Sequence, residues 1–456
     1  MSAASALSKQ SVDLINDPID QSLRRFSLPL ALSFVVNMVY SFVDRFYVSR
    51  LGDAATAAIG ATDQVMFLLF TLVSGIAVGA GIIVSRRFGE GDTQGAQRTA
   101  TQSLVGMVIM AFMVTVCMYI ALSDVPVLMH MKPEVAVHCM DYLTTLLVGF
   151  TFQLSNFHMF TISRSTGNTM FPTIVLIITV VVNAVVAPFL IFGLGPVPEM
   201  GIAGAGLATA IAQITGTVIT LTAMLRGSTG MRMDFSQFQL DWSLLRRVAL
   251  QGFPASVQML SVSMTRAIIF MFVGALGTST TAAYTLGLSV DMLVMMTVFA
   301  VGIAMQTATG QNIGAGKPER VWLYYKSACR QLSFLMIGFG VLVYAFGDDF
   351  VLLYTTTPDT VREATEYLRI SVFGYLFFAY GLMSVRVISG AGASMLSMSI
   401  VAVCLLLIQV PLAYVLSHWT PLESFGIWIG LAAGYAVFAG VSYSVVKSGR
   451  WLQAKA

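Results

Sequence analysis

The feature that most constrains this chain is an internal duplication: the sequence around Pro29 recurs 225 residues later around Pro254. Leu23-Arg24-Arg25 precedes the first proline and Leu245-Arg246-Arg247 the second. Leu51-Gly52 returns as Leu276-Gly277, Ala58 as Ala283, and Gly89 and Gly91 as Gly314 and Gly316. Later, Gly206-Leu207-Ala208 returns as Gly430-Leu431-Ala432. Both copies are built of long apolar tracts, and a duplicated set of membrane helices is how many transporters frame a central pathway.

With 57% hydrophobic and only 10% charged residues over 456 positions, the chain departs from soluble proteins, where about a quarter of residues are charged. Apolar runs of about 20 residues or more can cross a bilayer. They fall at roughly 27–48, 55–85, 99–122, 138–162, 170–193 and 201–225, then at 249–275, 281–313, 327–347, 366–389, 395–416 and 425–446. Lipid cannot satisfy open backbone groups, so these twelve spans are helices. The expected fold is an all-α membrane protein with twelve transmembrane helices in two pseudo-symmetric six-helix lobes.

Basic residues mark the cytoplasmic side of short loops. One side collects both termini with Arg24, Arg25, Arg86, Arg87, Arg98, Arg246, Arg247, Lys317, Arg320, Lys447 and others, while the other has little beyond Arg50, Lys132 and Arg362. Both termini are therefore expected in the cytoplasm, in a multi-pass inner (plasma) membrane protein. The net charge of +3 reflects this topology and not a nucleic-acid partner. Residues 1–22 are polar, lack an apolar h-region and read as a cytoplasmic tail. Residues 23–225 form the N-lobe, 226–246 a polar interlobe linker, 247–446 the C-lobe and 447–456 a cytoplasmic tail. Cys117, Cys139, Cys329 and Cys404 show no metal or disulfide spacing and read as packing residues. The small residues from Gly201 to Ala210 allow close helix approach.

Ionisable groups at membrane depth cost roughly 2.5–3.5 kcal/mol each and mark function by default. The candidates are Asp44, Asp63, Arg266, Asp291 and Arg386. Asn37, Tyr40, Ser41 and Asp44 fall at i, i+3, i+4 and i+7, a polar stripe on an apolar helix that faces a cavity. A carboxyl group there can take up and release H⁺; the competing reading pairs Asp44 with Arg45 at the interface. Asp63 lies about as far beyond the Leu51–Thr56 turn as Asp44 lies before it, so the two can share a depth, or Asp63 can serve polar groups near the surface. Arg266 and Asp291 bracket the Gly277–Thr281 turn, which suggests a buried ion pair or a gating role. Arg386 sits close enough to the Ser389–Ala393 turn to reach lipid headgroups.

Further polar positions at membrane depth are Gln153, Asn156, Asn183 and Thr209, with Pro188 able to bend its helix. Met66, Phe67 and Phe70 share a face with Asp63, and flexible thioethers with aromatic rings can re-pack around varied apolar guests. No nucleotide loop, HExxH or nucleophile elbow occurs, and of only four histidines His130, His138 and His418 sit near predicted outer loops, so an enzyme is not expected.

These residues also carry a family resemblance. Val43-Asp44-Arg45-Phe46-Tyr47-Val48-Ser49-Arg50-Leu51-Gly52, Ala57-Ala58-Ile59-Gly60, Arg86-Arg87-Phe88-Gly89-Glu90-Gly91-Asp92 and Gly310-Gln311-Asn312-Ile313-Gly314-Ala315-Gly316 make the chain resemble the multidrug and toxic compound extrusion (MATE) transporters, in their DinF-like branch, over nearly its whole length. The resemblance implies a secondary antiporter that extrudes drugs, often organic cations, against an H⁺ or Na⁺ gradient. It implies a coupling role for Asp44 with Asn183 and Thr209 around it. Some relatives carry a second Asp where this chain has Ala187, and another branch a Glu where it has Val262; both departures weaken a Na⁺ site and favour H⁺. No cofactor and no metal site are implied. A monomer in membrane lipid, exporting small drug-like molecules by alternating access, is the expectation. A Na⁺-coupled antiporter, or a flippase or exporter of an amphipathic anion or lipid-linked substrate that meets Arg266 and Arg386, is the alternative.

Overall fold

The computed structural model describes residues 11–193, 198–236 and 238–453, and among them every regular element is helical. Twelve helices among the described residues are long and apolar enough to cross a membrane. In the first half they are α1 (Ile19–Ser49), α2 (Asp53–Gly89), α3 (Thr93–Ile120), α4 (Pro133–Ser165), α5 (Met170–Phe192) and α6 (Gly201–Leu225). In the second they are α7 (Trp242–Leu276), α8 (Thr278–Gly314), α9 (Pro318–Leu352), α10 (Pro358–Gly390), α11 (Ser394–His418) and α12 (Glu423–Lys447). Their number and order are those expected from the apolar tracts. Several run past the hydrocarbon: α2 has 37 residues, about 55 Å of helix, against a core of about 30 Å, so its polar end with Arg86 and Arg87 leaves the lipid.

Local chemistry explains the ends. Pro133 and Pro358, again 225 residues apart, open α4 and α10 at the position where a missing N–H costs nothing. Gly52 (φ 106°) and Gly277 (φ 127°) make the abrupt α1–α2 and α7–α8 turns, a backbone region that L side chains avoid. The α11 helix passes through a π-helical segment, Val403–Gln409, just before Pro411, and such bulges recur at functional sites.

The chain divides into two compact units. One holds Leu28–Ser256 with the described residues up to Asp13, the other Leu14–Ser27 with the chain from Val257 onward. In the first, α4 is central and packs on α6, α2 and α3; in the second, α10 packs on α12, α8 and α9 in the same pattern. Small residues permit this. A Cβ on Gly149 would stand 2.7 Å from the Ala210 Cα, and one on its repeat partner Gly374 would stand 3.4 Å from the Ala432 Cα.

The packing boundaries differ from the repeat boundaries at 22/23 and 246/247. Residues 1–10 of the expected tail (1–22) lie outside the described residues, and the segment Leu14–Ser27 is packed within the second unit. The Leu14 carbonyl accepts bonds from Asn312 Nδ2 and Tyr324 Oη, both at 3.0 Å, and Leu23 and Phe26 are fully buried. Ser22 Oγ meets Tyr324 Oη at 2.6 Å, and Asp20 pairs with Arg330 at 2.6 Å. In the expected linker, Met231 and Met233 are buried with Met224, Leu104 and Val248, so this segment is packed as well as polar. Its Asp241 accepts the Leu244 N–H at 3.0 Å at the start of α7 and pairs with Arg98 at 2.8 Å. The four cysteines are free, Cys139 and Cys404 buried within their units.

Candidate functional site

In the first unit the α1 stripe divides. Tyr40 and Asp44 turn inward, while Asn37 and Ser41 are exposed, Ser41 Oγ donating to the Asn37 carbonyl of its own helix at 3.2 Å. Asp44 is 8% exposed, and its Oδ2 accepts a hydrogen bond from Tyr142 Oη on α4 at 3.1 Å. Its Oδ1 is buried without a partner. One turn earlier on α1, Tyr40 Oη meets Thr209 Oγ1 of α6 at 2.9 Å, and Asn183 Nδ2 of α5 donates to the same oxygen at 3.3 Å. Asn183 Oδ1 is also buried and unpartnered. Along α4 and α6, Asn156 Nδ2 donates to the Gln213 carbonyl at 2.9 Å and to Gln213 Oε1 at 3.1 Å.

Apolar packing holds these groups in place. Leu143, Leu147, Ala187, Ile191, Ala205 and Ala208 form one buried cluster, with Tyr142 in it and Met66 against it. Gly206 lets α6 lie directly on α4: a Cβ there would meet Thr145 Oγ1 and come within 2.9 Å of the Tyr142 carbonyl. Phe70 packs edge-on to Phe157 with ring centroids 5.0 Å apart, whereas Phe67 is 47% exposed. The expected Met66–Phe67–Phe70 face is thus split between core and surface.

Arg45 does not pair with Asp44. It reaches Asp63, 3.2 Å away, and both side chains are at least half exposed. The α1–α2 hairpin brings Asp63 level with α1, as its distance from the turn suggested, but onto the neighbouring residue. Asp44 is thereby left without an ion-pair partner among the described residues.

In the second unit Asp291, 7% exposed, accepts hydrogen bonds from Tyr367 Oη at 2.6 Å and Tyr375 Oη at 2.5 Å, one on each carboxylate oxygen. The expected direct ion pair with Arg266 is not formed: Arg266 Nη2 contacts Met295 Sδ at 2.6 Å, one turn along α8 from the carboxylate. Each carboxylate oxygen instead takes one phenol. Arg386 does not reach outward for headgroups; its Nη1 donates to Gln306 Oε1 of α8 at 2.8 Å.

The residues missed from sequence are the tyrosines. Tyr142 and Tyr367 stand 225 positions apart and each holds its own unit's buried carboxylate. The repeat offset was the signal that could have found them. His158 was missed too: it is fully buried on α4, facing away from Asn156, with Nε2 2.8 Å from Ser103 Oγ.

These sites lie in helices matched by known proteins. The MatE family model matches residues 29–189 and again 254–415, one match in each repeat. The chain is 28% identical over 430 residues to "Probable multidrug resistance protein YoeA" of Bacillus subtilis, covering 91% of each. It is 24% identical over 416 residues to "FAD transporter" of Shewanella oneidensis, covering 88% of each. Among solved structures, a MATE protein in its bent conformation shares the fold with a TM-score of 0.89 at 22% identity, covering 98% of this chain and 97% of that one. A multi-pass chain of twelve apolar helices, with both of its repeats matched in this way, belongs to the MatE family, whose members are transporters and not enzymes.

Proposed function

We propose that the protein is a monomeric inner-membrane antiporter of the DinF-like type, with both termini cytoplasmic, that exports amphipathic and often cationic small molecules in exchange for protons by alternating access. The observation that carries this reading is Asp44: a buried carboxylate with one oxygen on Tyr142, the other unpartnered, and its neighbouring cation engaged elsewhere. An uncompensated carboxylate in a low-dielectric interior gains most from binding a proton. Multidrug resistance in the name of the Bacillus subtilis relative supports drug-like guests. Met66 and Phe70 supply adaptable apolar surface beside the carboxylate's helix pair.

Protonation of Asp44 from outside weakens its hold on Tyr142, since hydrogen bonds to a neutral group are worth about half those to an ion. That change lets the N-lobe cavity rearrange and expel its guest, and release of H⁺ toward the cytoplasm resets it. With a proton-motive force of about 150 mV one proton supplies about 3.5 kcal/mol, enough for a gradient of several hundredfold of an uncharged guest. Na⁺ coupling is the less favoured reading, because a hard cation gathers several oxygens and Ala187 contributes only apolar packing.

Proteoliposomes acidified inside test the proposal. They accumulate an ethidium-like dye without ATP, and Asp44→Asn abolishes uptake while leaving the protein folded. Uptake that survives Asp44→Asn refutes the assignment, and loss of uptake on removing Na⁺ at a fixed proton gradient replaces H⁺ by Na⁺. A second reading, export of an amphipathic anion, is favoured by the FAD transporter among the relatives and by Arg266 at membrane depth. Competition by anionic against cationic guests separates the two.

A further inference from the structure

The two units treat their buried carboxylates differently, and the repeat makes the comparison exact in position. Counting 225 residues on from Asp44 leads to Ile269, fully buried, and from Ser41 to Arg266. The second unit has therefore lost the carboxylate from its first helix and gained a cation there, while its own carboxylate, Asp291, comes from the next helix, at the repeat position of Met66. Both carboxylates keep the same tyrosine. In the first unit Arg45 is spent on Asp63, leaving one negative charge without compensation. In the second, Asp291 and Arg266 line one cavity and balance to zero.

That cavity measures about 30 Å³, room for a water or two or a single small ion. Its polar lining comes from five helices: Arg266 and Thr265 from α7, Asp291 and Tyr284 from α8, Tyr367, Ser371 and Tyr375 from α10, Gln409 from the π segment of α11, and Tyr435 from α12. Arg266 is the only cation among these lining residues. Two phenols positioned to donate to the two carboxylate oxygens favour the charged form of Asp291, and a buried anion needs a counter-charge. The guanidinium supplies it across the cavity, without occupying the carboxylate: its Nη2 contact is a thioether, a weak acceptor. Thr265 Oγ1, 5% exposed as a residue, is buried and unpartnered.

We propose that Arg266 is the resident counter-cation of Asp291, taking in charge the place that a coupling cation would otherwise fill in this lobe. Arg266 thereby decides ion use: the wild-type C-lobe binds no coupling ion, and Asp44 alone sets the stoichiometry. Removing the guanidinium converts the Asp291 cage into a site for a small monovalent cation, Na⁺ or H⁺, ringed by phenol, threonine and amide oxygens. The stoichiometric part rests on the transport reading above; the binding part does not.

The experiment therefore reads binding. Melting temperatures of the purified full chain are compared in sodium chloride and in choline chloride of equal ionic strength, and across pH, for wild type, D291N, R266K, R266Q, R266Q/D291N and D44N. Wild type, R266K and D44N are expected to show no difference between Na⁺ and choline. R266Q gains stabilisation of the order of 2–4 °C or more, from Na⁺ in the salt arm or from acidification in the pH arm, and R266Q/D291N loses it. A wild-type protein stabilised by Na⁺, with D291N abolishing the effect, overturns the proposal, as does a folded R266Q indifferent to both cations. Should R266Q fail to fold, recovery in R266Q/D291N is the expected result of removing both charges, and no recovery overturns the proposal. The Na⁺–choline difference between R266Q and R266Q/D291N is read at Asp291 and not at Asp44, so failure here is separate from failure of the transport assignment.

Discussion

The bond between Tyr142 and Asp44 can be weighed by a double-mutant cycle of Tyr142→Phe and Asp44→Ala. Alanine is chosen because asparagine would keep an acceptor for the phenol, and the void it leaves cancels between the two arms of the cycle. A hydrogen bond to an ionised group is worth roughly 1.5–3 kcal/mol. At 3.1 Å the Tyr142 contact exceeds the about 2.5–2.7 Å of short O–H···O⁻ bonds, which puts it near the lower end, about 1.5 kcal/mol. For a unit of this size about 1 kcal/mol moves Tm by about 2–4 °C, so the coupling is about 3–6 °C of non-additivity. The repeat-equivalent pair, Tyr367 and Asp291 at 2.6 Å, is the internal control: its cycle of Tyr367→Phe and Asp291→Ala should give a larger coupling, near 3 kcal/mol. The assay is thermal unfolding of the purified protein followed by tryptophan fluorescence or by loss of monodisperse elution. Shifts additive to within about 0.5 kcal/mol at Tyr142 and Asp44, or a first-unit coupling larger than the second, would refute the argument from geometry.

Three further outcomes follow from the packing and the surface. Gly206→Val forces a side chain into the Thr145 hydroxyl and the Tyr142 carbonyl, and should cost about 1–3 kcal/mol and lower transport with it; wild-type melting and uptake would contradict the close approach. Arg45→Gln and Asp63→Asn break an exposed pair, so each should change stability by less than about 1 kcal/mol and retain dye uptake that Asp44→Asn abolishes. Equal losses in all three variants would place Asp63 in the coupling machinery. At the start of α7, the Ser243 hydroxyl and the Leu244 N–H, with Arg98 nearby, hold the Asp241 carboxyl below the usual carboxylate range. A lowered value stabilises the fold above the unfolded pKa and is lost as pH falls through the folded one. The melting difference between wild type and Asp241→Asn should therefore be constant above about pH 5 and shrink below about pH 4; a gap that widens in acid would reverse the sign.

Hydropathy determined the number of helices and their order, because each apolar tract must satisfy its backbone within itself wherever its neighbours lie. The duplication likewise made the similar internal packing of the two units legible, down to Gly52 with Gly277 and Pro133 with Pro358. Asp44 could be singled out because a polar stripe is a property of one helix. Contacts between helices were another matter, since they depend on the rotation of each about its axis. Sequence spacing brought Arg266 and Asp291 level, yet Tyr367 and Tyr375, on a third helix, took the carboxylate. It left Arg45 a choice between Asp44 and Asp63, and only the packed hairpin decided for Asp63. The docking of Leu14–Ser27 rested on Asn312 and Tyr324, some 300 residues away, which no local pattern could reveal. What a residue is buried in follows from its own helix; whom it touches is decided by tertiary packing, because a partner on another helix is selected by shape and small residues and not by hydrophobic periodicity.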